Sequence, residues 1–191
     1  MTDAVEFTRA DIEELLTALA ARLEAQGVAA TAYLVGGAAI ALRGISSDRR
    51  TADVDALMLP EEQVLAAARQ VAAERGIRST WLNSAVRPYV PPLPETLQPP
   101  PGPGLQIRTA PDDHLLAMKL IAARGQRDMR DIIPLTRRLG LDDDGAFGGR
   151  ARGAPLVPWT YQFVQFVSFC WPVNEVASGY GVFSSFSYPF G

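Results

Sequence analysis

Residues 8–26 place Ile12, Leu15, Leu16, Leu19 and Leu23 at three- and four-residue spacing on an otherwise polar segment, which predicts an amphipathic helix. Thr8 stands at the N-cap position, with Asp11 three residues on as its short acidic partner, and Gly27 ends the helix. Residues 32–35 predict a short apolar strand broken by Gly36-Gly37, residues 38–43 a short helix of small side chains, and residues 46–50 a polar turn. Residues 52–59 read as a second strand. Pro60 then opens a helix to about Arg75 that buries Val64, Leu65, Ala68, Val71 and Ala72, and Gly76 stops it. Residues 77–80 predict a third strand. Residues 81–89 fit no single pattern, and residues 90–104, rich in Pro and Gly, form a connector that cannot pair regularly. A short strand at 105–108 precedes a helix opened by Pro111, with Leu115, Leu116, Met118, Leu120 and Ile121 on its apolar side. A last helix, 126–139, buries Ile132, Ile133, Leu135 and Leu139 before Gly140. The sum is an α+β (mixed α/β) fold: a small mixed β-sheet with helices packed on one face, followed by a helical segment.

Composition changes this picture at the C-terminal end. From Gly153 onward the only charged residue is Glu175, and 11 of the 16 aromatic residues fall there. The expected organisation is therefore a domain at 1–141 and an atypical aromatic-rich tail at 142–191. Two or three strands, a membrane-seeking segment, a partner-binding arm and an altered reading frame all fit the tail. The whole chain, 191 residues with 18 basic and 21 acidic side chains, has a net charge of −3, so bulk charge points to no polyanion partner. A single cysteine, Cys170, excludes an internal disulfide and a Cys-cluster zinc site, and a single histidine, His114, excludes chemistry needing two. Cys170 reads as buried filler, and His114 as a surface or capping residue. The opening residues hold no apolar signal core and no run reaches the ~18 apolar residues of a membrane helix, so the expected location is the cytoplasm. Arginine supplies all the basic residues except Lys119.

The chemistry-bearing stretch runs from Tyr33 to Leu57. In a strand, residues i and i+2 face the same side, so Asp53 and Asp55 present two carboxylates together while Val54 packs inward. Adjacent anions repel unless a cation neutralises them, and hard oxygen ligands suit Mg2+ or Mn2+. Upstream, Gly36 and Gly37 lie between a strand and a helix, where the backbone can approach a phosphate closely. Taken singly, a Gly-Gly turn or an Asp-x-Asp is commonplace; their order and spacing join them into one expectation, a metal–triphosphate site.

Gly36-Gly37, 15 intervening residues, then Asp53-Val54-Asp55 resembles the signature of the polymerase-β-like nucleotidyltransferase superfamily. The wording Leu-Val-Gly-Gly with Thr-Ala-Asp-Val-Asp is most similar to the small prokaryotic branch related to AbiEii/AbiGii toxins. The later block, Leu115 to Arg124 followed by Arg127-Asp-Met-Arg-Asp-Ile-Ile133, also resembles that branch. The resemblance covers residues 8 to about 141. It implies that Gly36 and Gly37 cradle the nucleotide phosphates, that Asp53 and Asp55 bind the metal, and that Lys119 reaches phosphate or substrate. On its own helix Lys119 flanks an apolar stripe, which leaves its ammonium free to reach a cleft, or makes it an exposed or snorkelling lysine. Asp128 and Asp131 share a helical face, where capping or pairing with Arg124 or Arg127 accounts for them as well as catalysis does. The family's third carboxylate has no counterpart on the strand at 105–108; Asp112 or Asp128 would have to substitute for it. The implied activity is transfer of a nucleoside monophosphate from a nucleoside triphosphate to an acceptor hydroxyl, on RNA, a protein or a small molecule. The implied setting is a toxin–antitoxin pair with a cognate partner. The alternative is a catalytically weak nucleotide-binding or antitoxin-like module.

Overall fold

The computed structural model describes residues 6–46, 48–87, 97–122 and 126–141, without the side chains of residues 121, 122, 126 and 127. The chain divides into two compact units, Met1–Leu135 and Thr136–Gly191. The architecture that follows belongs to the first. Of the second, residues 136–141 are described: the last helical residues and a turn at Gly140 (φ 65°). The expectations for the aromatic tail and for Cys170 lie outside the described residues.

The fold is a mixed α/β arrangement of five helices and a four-stranded mixed sheet among the described residues, as the hydrophobic pattern predicts. The element order is α1 (Arg9–Ala25), β1 (Ala29–Leu34), α2 (Gly36–Leu42), β2 (Val54–Leu59), α3 (Glu61–Arg75), β3 (Leu82–Asn83), β4 (Gly104–Thr109), α4 (Asp112–Ala122) and α5 (Gln126–Arg138). The strands lie in the order β3-β2-β1-β4. β1 is central, antiparallel to β2 with Leu34 opposite Ala56, and parallel to β4 with Leu34 opposite Thr109. The antiparallel pairing of β1 and β2 brings the end of the first beside the start of the second, which is where the glycines and aspartates stand.

Local chemistry explains each element. Thr8 caps α1 through a full capping box with Asp11, satisfying two backbone donors at the helix start. The stripe Ile12, Leu15, Leu16, Leu19 and Leu23 is buried, with α1 lying against α3, β1 and β4. Ala32, Leu34, Val54, Ala56 and Met58 form one fully buried sheet face. The other face carries Thr31, Tyr33 and Leu57, and Thr31 Oγ1 donates to the Gln98 carbonyl at 2.9 Å, so the segment after residue 97 covers it. Trp81 is fully buried, its indole N–H donating to the Ala68 carbonyl of α3 at 3.0 Å.

Three local expectations are corrected. Residues 77–80 are not a strand: the Ile77 amide bonds back to the Ala72 carbonyl and Trp81 to Arg78, so the chain is still turning after Gly76 (φ 64°). The third strand is instead Leu82–Asn83, parallel to β2. On α3, Ala67 rather than Leu65 is buried, and on α5 Ile133 is exposed at 36%. The inward stripe of α5 is Asp128, Asp131, Ile132 and Leu135, a helical i, i+3, i+4, i+7 row that admits two aspartates.

Candidate functional site

The site begins where β1 runs into α2. Val35 continues the ladder one step past Leu34, its amide donating to the Asp55 carbonyl at 3.0 Å. The chain then turns at Gly36, whose φ of 60° lies in the left-handed region that glycine adopts without penalty. A Cβ on Gly36 would stand 3.2 Å from Asp55 Oδ2. A Cβ on Gly37 would stand 2.7 Å from Thr51 Oγ1, closer than a Cβ normally comes, and a tight 3.1 Å from Arg49 Nη2. Gly37 is thus favoured by close approach within the protein itself, and Gly36 by its backbone conformation with Asp55 close beside it. That approach is what sets the Gly-Gly turn directly on the Asp-x-Asp segment.

The two aspartates differ in backbone setting. Asp55 is the second residue of β2, whereas Asp53 falls one residue before the strand. The strand starts late because Thr51 is engaged elsewhere: it bridges to Phe7 in antiparallel fashion, and its hydroxyl donates to the Asp53 carbonyl at 3.1 Å, bending the chain. Both carboxylates are half-buried, and Val54 between them is fully buried, the alternation the sequence predicts. Asp53 makes no side-chain hydrogen bond or ion pair among the described residues. Two half-exposed carboxylates beside the glycine turn fit a hard cation that keeps water and phosphate ligands, the usual coordination of Mg2+. They do not form a protein cage, since no group of three or more His, Cys, Asp or Glu side chains with metal-binding geometry occurs among the described residues.

Lys119 is neither free nor on the surface. It is 9% exposed, and its Nζ donates to Asp128 Oδ1 at 2.9 Å and lies 2.8 Å from Asp131 Oδ2. Asp128 is 4% exposed and Asp131 fully buried. Asp131 also receives the Ser46 hydroxyl on Oδ1 at 3.1 Å, and Arg49 Nη2 approaches its Oδ2 at 3.3 Å. The contacts of Asp131 Oδ2 are ionic without aligned hydrogen bonds. A chain of contacts therefore runs from Lys119 through Asp131 and Arg49 to Gly37. Asp128 and Asp131 pair with Lys119 and Arg49; Arg124 and the side chain of Arg127, their expected partners, lie outside what is described. In the sequence Arg49 is legible only as part of a polar turn. The signal that points to it is the pair of aspartates on the buried row of α5, which demands cations from elsewhere in the fold.

The residues expected to replace a third carboxylate are held in other ways. Asp112 accepts two hydrogen bonds from Arg43, at 2.8 and 2.6 Å, and Asp128 is bound to Lys119. β4, which carries no acid, lies beyond β1 on the side away from β2. His114 is buried rather than superficial: its Nδ1 is 2.9 Å from the Tyr33 hydroxyl. Burial lowers its pKa from the ordinary histidine value, and burial, assisted by the Asp113 charge, pushes the Tyr33 phenol up to about 12. Tyr33 is opposite Leu57, two residues from Asp55, so this pair shares a sheet face with the candidate metal carboxylate.

A cleft of about 410 Å³ opens at Arg49 and Asp131, lined also by Glu6, Ser46, Asp48, Arg50 and Arg130; Gly36, Gly37, Asp53 and Asp55 are not among its lining residues. No helix among the described residues is long and apolar enough to cross a membrane. Comparison with protein-family models, with characterised proteins and with solved structures finds no match to this chain.

Proposed function

We propose that this chain binds a metal–nucleoside triphosphate where Gly36 meets Asp55 and transfers the nucleoside monophosphate to an acceptor hydroxyl. The observation that carries the proposal is the Gly36 turn, at φ 60°, lying against the Asp55 carboxylate with Asp53 two residues away. Two segments separated by 15 residues of sequence thereby meet in one corner, in the order that the polymerase-β-like superfamily resemblance implies. In the reaction the acceptor oxygen bonds to the α-phosphorus, the bond from that phosphorus to the pyrophosphate oxygen breaks, and the acceptor proton passes to solvent. A bound Mg2+ supplies charge stabilisation for the entering and leaving oxygens. Asp53 and Asp55 hold the cation, and the Gly36–Gly37 turn, packed against Asp55, Thr51 and Arg49, sets its backbone beside them for the phosphates. Incubation of the protein with each labelled nucleoside triphosphate and Mg2+, in the presence of cellular RNA and protein, is the test. Label incorporated by the wild type and lost in Asp53→Asn supports transfer; incorporation unaffected by Asp53→Asn rules this site out. The proposed acceptor is RNA or protein, and the proposed setting is a cytoplasmic toxin–antitoxin pair, as the resemblance implies.

A second reading, nucleotide binding without transfer in an antitoxin-like partner, is favoured by one observation. Asp112 and Asp128, the residues that would complete the acid set, are tied to Arg43 and Lys119. Nucleotide binding that depends on Asp53 and Asp55, with no labelled product from any acceptor, would select this reading.

A further inference from the structure

We infer that Arg49, rather than Lys119, is the cation that binds the triphosphate beside the Gly36–Gly37 turn, an inference that rests on the nucleotide-binding reading above. The two side chains differ in how far their donors are already used. An ammonium has three donors, and Lys119 directs its charge at two buried carboxylates, 2.9 and 2.8 Å away, while itself almost fully buried. A guanidinium has five donors in a planar fork. Arg49 makes a single ion contact, at 3.3 Å, to an Asp131 oxygen that Lys119 approaches more closely. Its Nε is buried and has no hydrogen-bond partner among the described residues. A buried charged donor left unsatisfied is costly, and such a group is a pointer to a ligand that completes it.

Position agrees with donor capacity. Arg49 Nη2 lies where a Cβ on Gly37 would be only 3.1 Å away, so the guanidinium is packed against the turn itself. Arg49 also lines the 410 Å³ cleft together with Ser46, Arg50 and Arg130. Three carboxylates line it too. Asp131 is already countered by Lys119, and Glu6 and Asp48 are solvent-exposed, where water and salt screen them. The planar fork matches the paired oxygens of a phosphate, which an ammonium does not. Lys119 then plays a supporting part, since by sharing Asp131 it keeps Arg49 from being consumed in an internal ion pair.

The test is calorimetric titration of the full chain with inorganic triphosphate, without metal or nucleoside. The wild type binds it, and Arg49→Lys, which keeps a positive charge opposite Asp131 but loses the fork, weakens binding roughly tenfold or more, the loss expected of one charge-assisted hydrogen bond. With no metal present the cation site of Asp53 and Asp55 takes no part in this titration, so failure of the metal site and failure of this inference give different results. Equal affinity of wild type and Arg49→Lys, or no triphosphate binding by the wild type, overturns it. Should Arg49→Lys not fold, the Arg49 Nε–H resonance of the wild type is read instead: it shifts on addition of triphosphate, and an unmoved resonance overturns the inference.

Discussion

Lys119→Met isolates the buried charge cluster, because methionine keeps most of the apolar stem and removes only the ammonium. In the wild type, Asp128 and Asp131 are 4% and 0% exposed, and Lys119 touches both. Without it, Asp131 keeps the Ser46 hydroxyl at 3.1 Å and the longer ion contact to Arg49, at 3.3 Å, and Asp128 loses its 2.9 Å bond to the ammonium. Removing one member of a buried ion pair costs about 3–5 kcal/mol, because the partner is left charged and dry. For a unit of this size each kcal/mol is worth roughly 3–5 °C, so the melting temperature falls by about 10–20 °C. Urea unfolding followed by circular dichroism measures the loss directly, with an unchanged slope showing that the two end states are the same. Adding Asp128→Asn to Lys119→Met removes one of the two carboxylate charges that lost the ammonium and recovers part of the loss. A solvent-exposed pair would lose its contribution in 1 M salt, where the screening length is about 3 Å; this one keeps it. A loss under about 1 kcal/mol, the value of an exposed lysine, would refute the reasoning.

Three other outcomes follow from the same geometry. Gly37→Ala drives a methyl to 2.7 Å from Thr51 Oγ1 and costs about 1–3 kcal/mol by overpacking, while Gly76→Ala, with φ 64° and open space around it, loses only the left-handed backbone preference of roughly 1–2 kcal/mol; thermal melts of both compare them. Only for Gly37→Ala should nucleotide binding also fall. Because burial lowers the His114 pKa, the unfolded chain binds the extra proton first, so stability declines as pH falls below about 6.5, the unfolded histidine value. His114→Phe flattens that slope in urea titrations between pH 5 and 7, and an unchanged slope contradicts a buried neutral imidazole. Tyr33 is shifted the other way: stability is lost as pH rises from 10 toward about 12, and Tyr33→Phe removes that alkaline loss.

The elements carrying the candidate site can be read from sequence because their signals are local. The Thr8–Asp11 capping box, the Gly36 turn and the apolar stripe of α1 each depend on residues within one or two turns. Spacing pairs the Gly-Gly and Asp-x-Asp segments, and antiparallel pairing of β1 with β2 brings them together. What periodicity misses is long-range. It assigns the buried row of α5 from isoleucines and leucines alone, yet the helix turns Asp128 and Asp131 inward and leaves Ile133 exposed, since Lys119 and Arg49 wait to meet those charges. His114 escapes for the same reason: nothing near it in sequence announces Tyr33, 81 residues away. Alternation draws Asp53 one residue into the strand because the Phe7–Thr51 bridge that bends the chain there is a contact with the N-terminal segment.

Metal-dependent nucleotide binding is the most direct measurement of the central claim. Calorimetry would titrate a non-hydrolysable nucleoside triphosphate into the full chain, with and without Mg2+, using wild type and Asp53→Asn with Asp55→Asn. The account predicts binding that Mg2+ strengthens in the wild type, and at least a tenfold rise in Kd, about 1.4 kcal/mol, in the double variant under the same conditions. Equal Kd values for the two proteins in Mg2+, or wild-type binding indifferent to Mg2+, would contradict it.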